Sequence, residues 1–223
     1  MPVHPSSPIE LEFARRYDQA HARVCGDERP PGLGRRLALW RDERLVRRAL
    51  KVAGEPGLIL DLACGAGRFW PVLGEHGNRV ILAADSSQDM LNHAQTHHPA
   101  SLLRRVKTFH SSSFSIGLSA NAVDCIACLQ LFPHVASSEA RRALLGEFHR
   151  VSRDSVILAV RIASRFKALQ QRLRGRRTCA AWAQASRARV EAEFKGAGFD
   201  VLSHQDFIPG CAAWRVYVLR KRS

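Results

Sequence analysis

The stretch Leu58-Ile59-Leu60-Asp61-Leu62-Ala63-Cys64-Gly65-Ala66-Gly67-Arg68-Phe69 decides the fold. Its first half is a short apolar run, Leu58–Ala63, that reads as a strand. Closely spaced glycines then make a turn, and a helix is predicted from there to about His76. In a doubly wound sheet such a turn lies beyond the carboxyl end of its strand, where nucleotide-like ligands dock. A dinucleotide fingerprint would place a third glycine where Trp70 stands, and a phosphate-gripping loop would need Gly-Lys-Ser/Thr; neither is present. Asp61, at the mouth of the turn, would repel a pyrophosphate and suits a cationic group. Twenty-four residues further on, Asp85 in Ala83-Ala84-Asp85-Ser86 ends a second predicted strand, where a carboxylate can accept hydrogen bonds from both ribose hydroxyls.

Outward from this motif the chain alternates strand-like and helix-like segments. Strands are predicted at Arg79–Ala84, Leu103–Phe109, Val123–Leu131 and Ser155–Ile162, with helices at Ser87–His97 and Ser138–Val151 between them. Arg187–Lys195 reads as a helix stopped by Gly196 or Gly198. Phe199–Ile208 and Trp214–Arg220 read as two strands joined by the turn signal Pro209-Gly210. Upstream, residues 8–24 and 35–53 read as two helices around the link Arg29-Pro30-Pro31-Gly32-Leu33-Gly34. The order implies an α/β fold: a Rossmann-like, seven-stranded, mostly parallel sheet with helices on both faces and an antiparallel last strand. Residues 1–54 are expected to form an N-terminal helical lid, and residues 55–223 the ligand-binding domain with a basic insertion at about 163–185.

A glycine turn, an early Asp and a later Asp together describe a site for a nucleoside that carries positive charge and no phosphate. S-adenosylmethionine, with its sulfonium and ammonium groups, fits. At these residues the sequence resembles the class I S-adenosylmethionine-dependent methyltransferases, particularly the small-molecule branch that includes the ubiquinone and menaquinone biosynthesis enzymes, over roughly residues 50–220. Leu60-Asp61-Leu62-Ala63-Cys64-Gly65-Ala66-Gly67-Arg68 matches the first motif of that family, with Ala63 in place of its first glycine.

The resemblance implies S-adenosylmethionine as cofactor and places Tyr17, Asp61, Ala63, Gly65, Gly67, Arg68, Asp85, Ser86, Met90, Ser112, Ser113 and Leu129 around it. Asp61 matches the family's ammonium ligand, Asp85 its ribose ligand, and Met90 a side chain that packs on adenine. Tyr17, in Arg15-Arg16-Tyr17-Asp18, resembles the family's N-terminal lid. The chain departs from the pattern at Ser112, which aligns with an Asp that binds the adenine amino group; a hydroxyl binds there without charge assistance. It departs again at Ser152-Arg153-Asp154-Ser155, in place of a Pro-Gly-Gly turn.

Methyl transfer from a sulfonium is an in-line displacement, so the protein mainly positions the acceptor and excludes water. A hydroxyl acceptor also needs a base, and His134 in Leu131-Phe132-Pro133-His134-Val135 is the candidate, against the alternative of a structural His at a helix start. Gln130 and Phe132 would line the same pocket. No Asn/Asp-Pro-Pro-Tyr follows the fourth strand, which argues against the DNA adenine and glutamine-type N-methyltransferases.

The 223 residues fit one domain, or one with an appendage. No apolar run approaches a membrane span, and the first 20 residues lack a secretory signal, so a bacterial-type, cytoplasmic, globular protein is expected. Cys125 and Cys128 form a C-x-x-C inside an apolar run and are read as core thiols rather than a redox or zinc pair; no metal site is expected. The formal net charge is +14, with 29 Arg and only 5 Lys, a bias that either genome composition or phosphate and carboxylate ligands would produce.

The excess of charge is local: residues 155–190 hold nine basic side chains and no acidic one. Arg161, Arg165, Arg172, Arg174, Arg176 and Arg177 are the candidate anion-binding residues there. Three partner classes compete: an anionic small-molecule, saccharide or lipid-linked acceptor bearing phosphate or carboxylate; RNA, disfavoured because only Phe166 and Trp182 could stack on bases; and a cyclic dinucleotide effector, suggested by Arg172-x-x-x-Arg176. The leading reading is a methyltransferase acting on an anionic acceptor by O-methylation; the alternative is a non-catalytic nucleotide-binding protein on the same fold.

Overall fold

The computed structural model describes residues 32–135, 137–162, 186–208 and 211–222. The chain divides into two units, residues 1–40 and 41–223, and the second holds the whole sheet. The described elements, in chain order, are α1 (Leu33–Val52), β1 (Leu58–Leu62), α2 (Trp70–Leu73), β2 (Val80–Asp85), α3 (Gln88–His97), α4 (Ala100–Leu103) and β3 (Val106–His110). They continue with β4 (Val123–Cys128), a 3-10 turn (Phe132–His134), α5 (Ser138–Val151), β5 (Ser152–Val160), α6 (Arg187–Gly196), β6 (Phe199–Ile208) and β7 (Cys211–Lys221). Three of the helices open on a serine whose side chain accepts a backbone N–H of the first turn: Ser87 from Met90, Ser137 from Ala140 and Ser186 from Arg189.

The strands lie in the order β3-β2-β1-β4-β5-β7-β6. All neighbours are parallel except β7, which runs antiparallel between β5 and β6. This is the seven-stranded, mostly parallel sheet that the apolar pattern predicts. Because side chains alternate along a strand, each strand serves two layers. Ile59, Ile81, Cys125, Ile157 and Val218 join a buried cluster with Leu45, Val46, Ala49 and Leu50 of α1, Trp70 of α2, and Leu91 and Ala94 of α3. On the second face Phe132, Phe194 of α6 and Tyr217 of β7 stack edge to face or tilted, and Leu144, Leu145 and Phe148 of α5 are fully buried.

Several boundaries differ from the sequence expectation, each for a local reason. The helix after the glycine turn runs only from Trp70 to Leu73, stopped at Gly74. Leu103 ends the helical turn α4 instead of opening β3. β4 ends at Cys128, and the chain turns into Phe132–His134 around Pro133.

β5 begins at Ser152, directly after α5, rather than at Ser155. An irregularity in its pairing with β4 absorbs the polar run, and Arg153 and Asp154 are paired across the sheet with Asp124 and Arg220. Cys125 and Cys128 are buried in β4, three positions apart, so they point to opposite faces and cannot share a bond or an ion. Burial pushes both thiols up to about 12. The expected helix at 8–24, with Tyr17, and the basic insertion at 163–185, with Arg165, Arg172, Arg174, Arg176 and Arg177, lie outside the described residues.

Candidate active site

The parallel register brings the carboxyl ends of four strands to one edge of the sheet: Asp61 lies opposite Ala83 and Ala127, and Cys128 opposite Leu158. At this edge β1 leaves the sheet through Ala63, whose φ of 57° is in the left-handed region that L side chains rarely adopt. The family's glycine would relax here, and the chain keeps the geometry with an alanine. Gly67 (φ 73°) closes the turn against Trp70: a Cβ on Gly67 would meet the indole ring at 2.6 Å. His98 holds the other side of the loop, donating from Nε2 to the Ala66 carbonyl at 3.1 Å and touching the Trp70 ring.

The two carboxylates at this edge are both buried but differently placed. Asp85 accepts the Gly65 N–H at 2.8 Å on Oδ2 and the Ser87 N–H at 2.9 Å on Oδ1, so it ties the glycine turn to β2. Each oxygen keeps a lone pair for a further donor. Asp61 has no such support: its Oδ2 is buried with no hydrogen-bond partner among the described residues. Burial pushes its carboxyl up to about 7; the nearby Trp70 indole opposes the rise and Asp85 adds to it. Trp70 Nε1 is itself buried without a partner, so the two groups face each other short of hydrogen-bond geometry. A buried carboxylate with an open oxygen beside a second carboxylate is what a ligand's cationic group would compensate. The residues present therefore fit the ammonium end of S-adenosylmethionine.

The other predicted residues fall around this centre with differing engagement. Ser86 and Met90 lie on the chain leaving β2, Ser86 exposed and Met90 half-buried. After β3, Ser111 N donates to the Asp85 carbonyl, and the Ser112 hydroxyl accepts the Phe114 N–H at 3.1 Å, so Ser112 already stabilises its own turn. Ser113 is buried beside it, and Leu129 is buried just past β4. Arg68 points away from the acidic pair: it pairs with Asp42 of α1 and lies over the Phe69 ring. Arg161 is exposed just past β5.

His134 is half-buried at the end of the turn after β4. That turn is held from below. Arg141 of α5 donates to the Val135 carbonyl at 3.1 Å, while its Nε and Nη2 each reach Glu193 of α6 at 2.7 Å. Sequence reasoning missed this clamp, whose members stand 52 residues apart with nothing to link them. It also missed Trp70 and His98, although the large ring where a dinucleotide fingerprint would have a glycine was a usable signal for Trp70.

Comparison with known proteins agrees with this geometry. Residues 59–155 match the family described as a methyltransferase domain. No curated protein matches the chain in sequence. Among solved structures it is similar to the magnesium protoporphyrin IX methyltransferase of Synechocystis PCC 6803 with bound SAH, at 18% identity over 96% of this chain and 98% of that one, with a TM-score of 0.71. It is also similar to the PH0226 protein of Pyrococcus horikoshii OT3, at 17% identity over 86% and 92% of the two chains, TM-score 0.66. A third similar fold is the cyclase SpnF, at 17% identity over 81% of each chain, TM-score 0.61. Residues 59–155 therefore carry a methyltransferase domain, and the chain shares the fold of the Synechocystis methyltransferase, which has been solved with SAH and with SAM bound. Among the described residues no helix is long and apolar enough to cross a membrane.

Proposed function

We propose that this methyltransferase acts on an acceptor bearing phosphate or carboxylate, whether a free small molecule, a saccharide or a lipid-linked compound, and that it methylates a hydroxyl of that acceptor. The observation that carries the reading is the arrangement at one edge of the sheet. The acidic pair Asp61 and Asp85 lies at the carboxyl ends of β1 and β2, and the turn bearing His134 and exposed Arg161 come just past those of β4 and β5. Arg161 opens the stretch of nine basic residues without an acid.

The roles follow from the residues. Asp61 holds the cofactor's ammonium, and Asp85 accepts from its ribose while keeping the glycine turn closed. Ala63, Gly65 and Gly67 present backbone to the cofactor, and Met90, Ser112, Ser113 and Leu129 surround its adenine. When bound, the cofactor supplies an activated methyl group. His134 takes the proton of the acceptor hydroxyl, which raises its nucleophilicity. Arg161 and the basic residues after it draw the acceptor's anionic group toward the site.

The test is methyl-labelled cofactor incubated with fractionated cell extract. Label is expected in compounds retained on an anion exchanger, and label confined to neutral or cationic compounds would overturn the acceptor class. With the acceptor in hand, His134→Ala should lower kcat about a hundredfold or more with KM little changed. An unchanged kcat removes His134 from the chemistry.

A further inference from the structure

Trp70 is fully buried, yet its one polar atom has no partner among the described residues. A buried indole N–H ordinarily finds an acceptor. The group it faces is Asp61, whose Oδ2 is likewise unpartnered. The ring is not free to leave, since Gly67 abuts one part of it and His98 another. An indole N–H, which can only donate, and a carboxyl oxygen thus sit near each other, both buried and without a partner among the described residues, where the glycine turn meets β1.

We propose that Trp70 is a positioning residue of the cofactor site: its indole N–H orients the Asp61 carboxylate and keeps it charged for the ligand's ammonium, and the seat of the ring on Gly67 links that orientation to the closed glycine turn. The inference rests on the reading of Asp61 as the ammonium ligand. A Trp that only filled the core would be replaceable by Phe without consequence at Asp61.

The groups that face Asp61 bear on the pH dependence. Asp85 contributes a second carboxylate from β2, and its charge acts on Asp61 whether or not an indole stands at position 70. Cys64 of the turn and Cys128 of β4 are thiols that burial pushes upward, Cys128 to about 12, so neither ionises between pH 5 and 9. His98 touches the far part of the Trp70 ring and is controlled for by His98→Gln. Without a donor on Asp61, its carboxyl holds its proton to a higher pH, and binding of an ammonium weakens accordingly.

The experiment is calorimetric titration of S-adenosylhomocysteine, which keeps the ammonium and is not consumed, into the wild type, Trp70→Phe and His98→Gln from pH 5.5 to 9. The ligand's own amine titrates identically in all three. In Trp70→Phe the acid limb of the affinity profile is expected to move up by about one pH unit, costing about tenfold in affinity near pH 6.5 and little above pH 8. An acid limb that does not move, or that moves equally in His98→Gln, overturns the role of Trp70 while leaving the Asp61 site standing. Absence of binding to folded wild type overturns both. If Trp70→Phe does not fold, the indole 15N–1H resonances of the wild type decide. One of the four Trp signals should shift with a midpoint near pH 7 and stop doing so in Asp61→Asn, and no such signal overturns the proposal.

Discussion

Two acidic side chains in this molecule, one half-buried and one buried, are treated in opposite ways. Glu193, between α5 and α6, has both oxygens engaged. Burial pushes its carboxyl up, but the double hydrogen bond from Arg141, with Ser138 and Arg189 beside it, outweighs that and holds it below the usual carboxylate range. Asp61, next to last in β1, has an open oxygen and a carboxylate neighbour, and burial lifts it to about 7. The first arrangement is complete within the chain and holds the turn that bears His134. The second has an oxygen without a partner among the described residues, and under the proposed function a cationic ligand would complete it. Satisfied charge serves architecture here, and the unsatisfied buried carboxyl is what the proposed function takes as the site.

The contrast can be broken most forcibly at Glu193. Removing it by Glu193→Ala leaves the buried Arg141 guanidinium without its carboxylate, and the folded state should lose about 3–5 kcal/mol, read as a fall in denaturation midpoint. Replacing both partners, Arg141→Met with Glu193→Leu, should recover most of that loss. A single variant as stable as the wild type would show that the pair does not support α6.

At Asp61 the opposite sign is expected. The folded-state pKa lies above that of the unfolded chain, so the folded protein binds the extra proton between about pH 4 and 7, and its stability falls as pH rises through that window. Asp61→Asn escapes this loss. Without ligand, its stability advantage should be near zero at pH 4, grow toward pH 7, and level off above it at about 2–4 kcal/mol. Thermal melts across that range check this, and an advantage independent of pH would count against the buried, uncompensated carboxylate.

The smallest effect is expected at the start of the same turn. Ala63→Gly removes the side chain from a left-handed backbone position, relieving roughly 1 kcal/mol offset in part by the greater freedom of the unfolded glycine. A melting temperature equal to or slightly above that of the wild type fits; a clear fall would mean that the alanine methyl does more than tolerate its conformation.

Much of this was legible in the sequence because it is local. The unbroken apolar run into Asp61, the glycines after it, and Asp85 at the end of the next strand specify strand, turn and acidic pair within 28 residues. The hairpin of β6 and β7 declares itself by its alternation and its Pro-Gly turn. What escaped depends on contacts distant in sequence. Arg141 and Glu193 look like two charges on two solvated helices until α5 and α6 pack side by side. Ser152-Arg153-Asp154-Ser155 reads as a turn because four polar residues rarely open a buried strand, and cross-strand ion pairs make it possible. Trp70 enters the sequence reading only as the residue where a third glycine would stand, and its N–H acquires meaning only beside Asp61. Arg68, in the cofactor motif by position, is drawn to Asp42 on α1, a partner 26 residues upstream.

The central claim is that Asp61 is left incomplete for a cationic ligand, and titrating S-adenosylmethionine into wild type and Asp61→Asn at pH 8 tests it most directly. Wild type should bind, and Asp61→Asn should bind about tenfold to a hundredfold more weakly while melting at a higher temperature without ligand. Equal affinity in the two proteins, or no binding to folded wild type at millimolar ligand, would contradict the account.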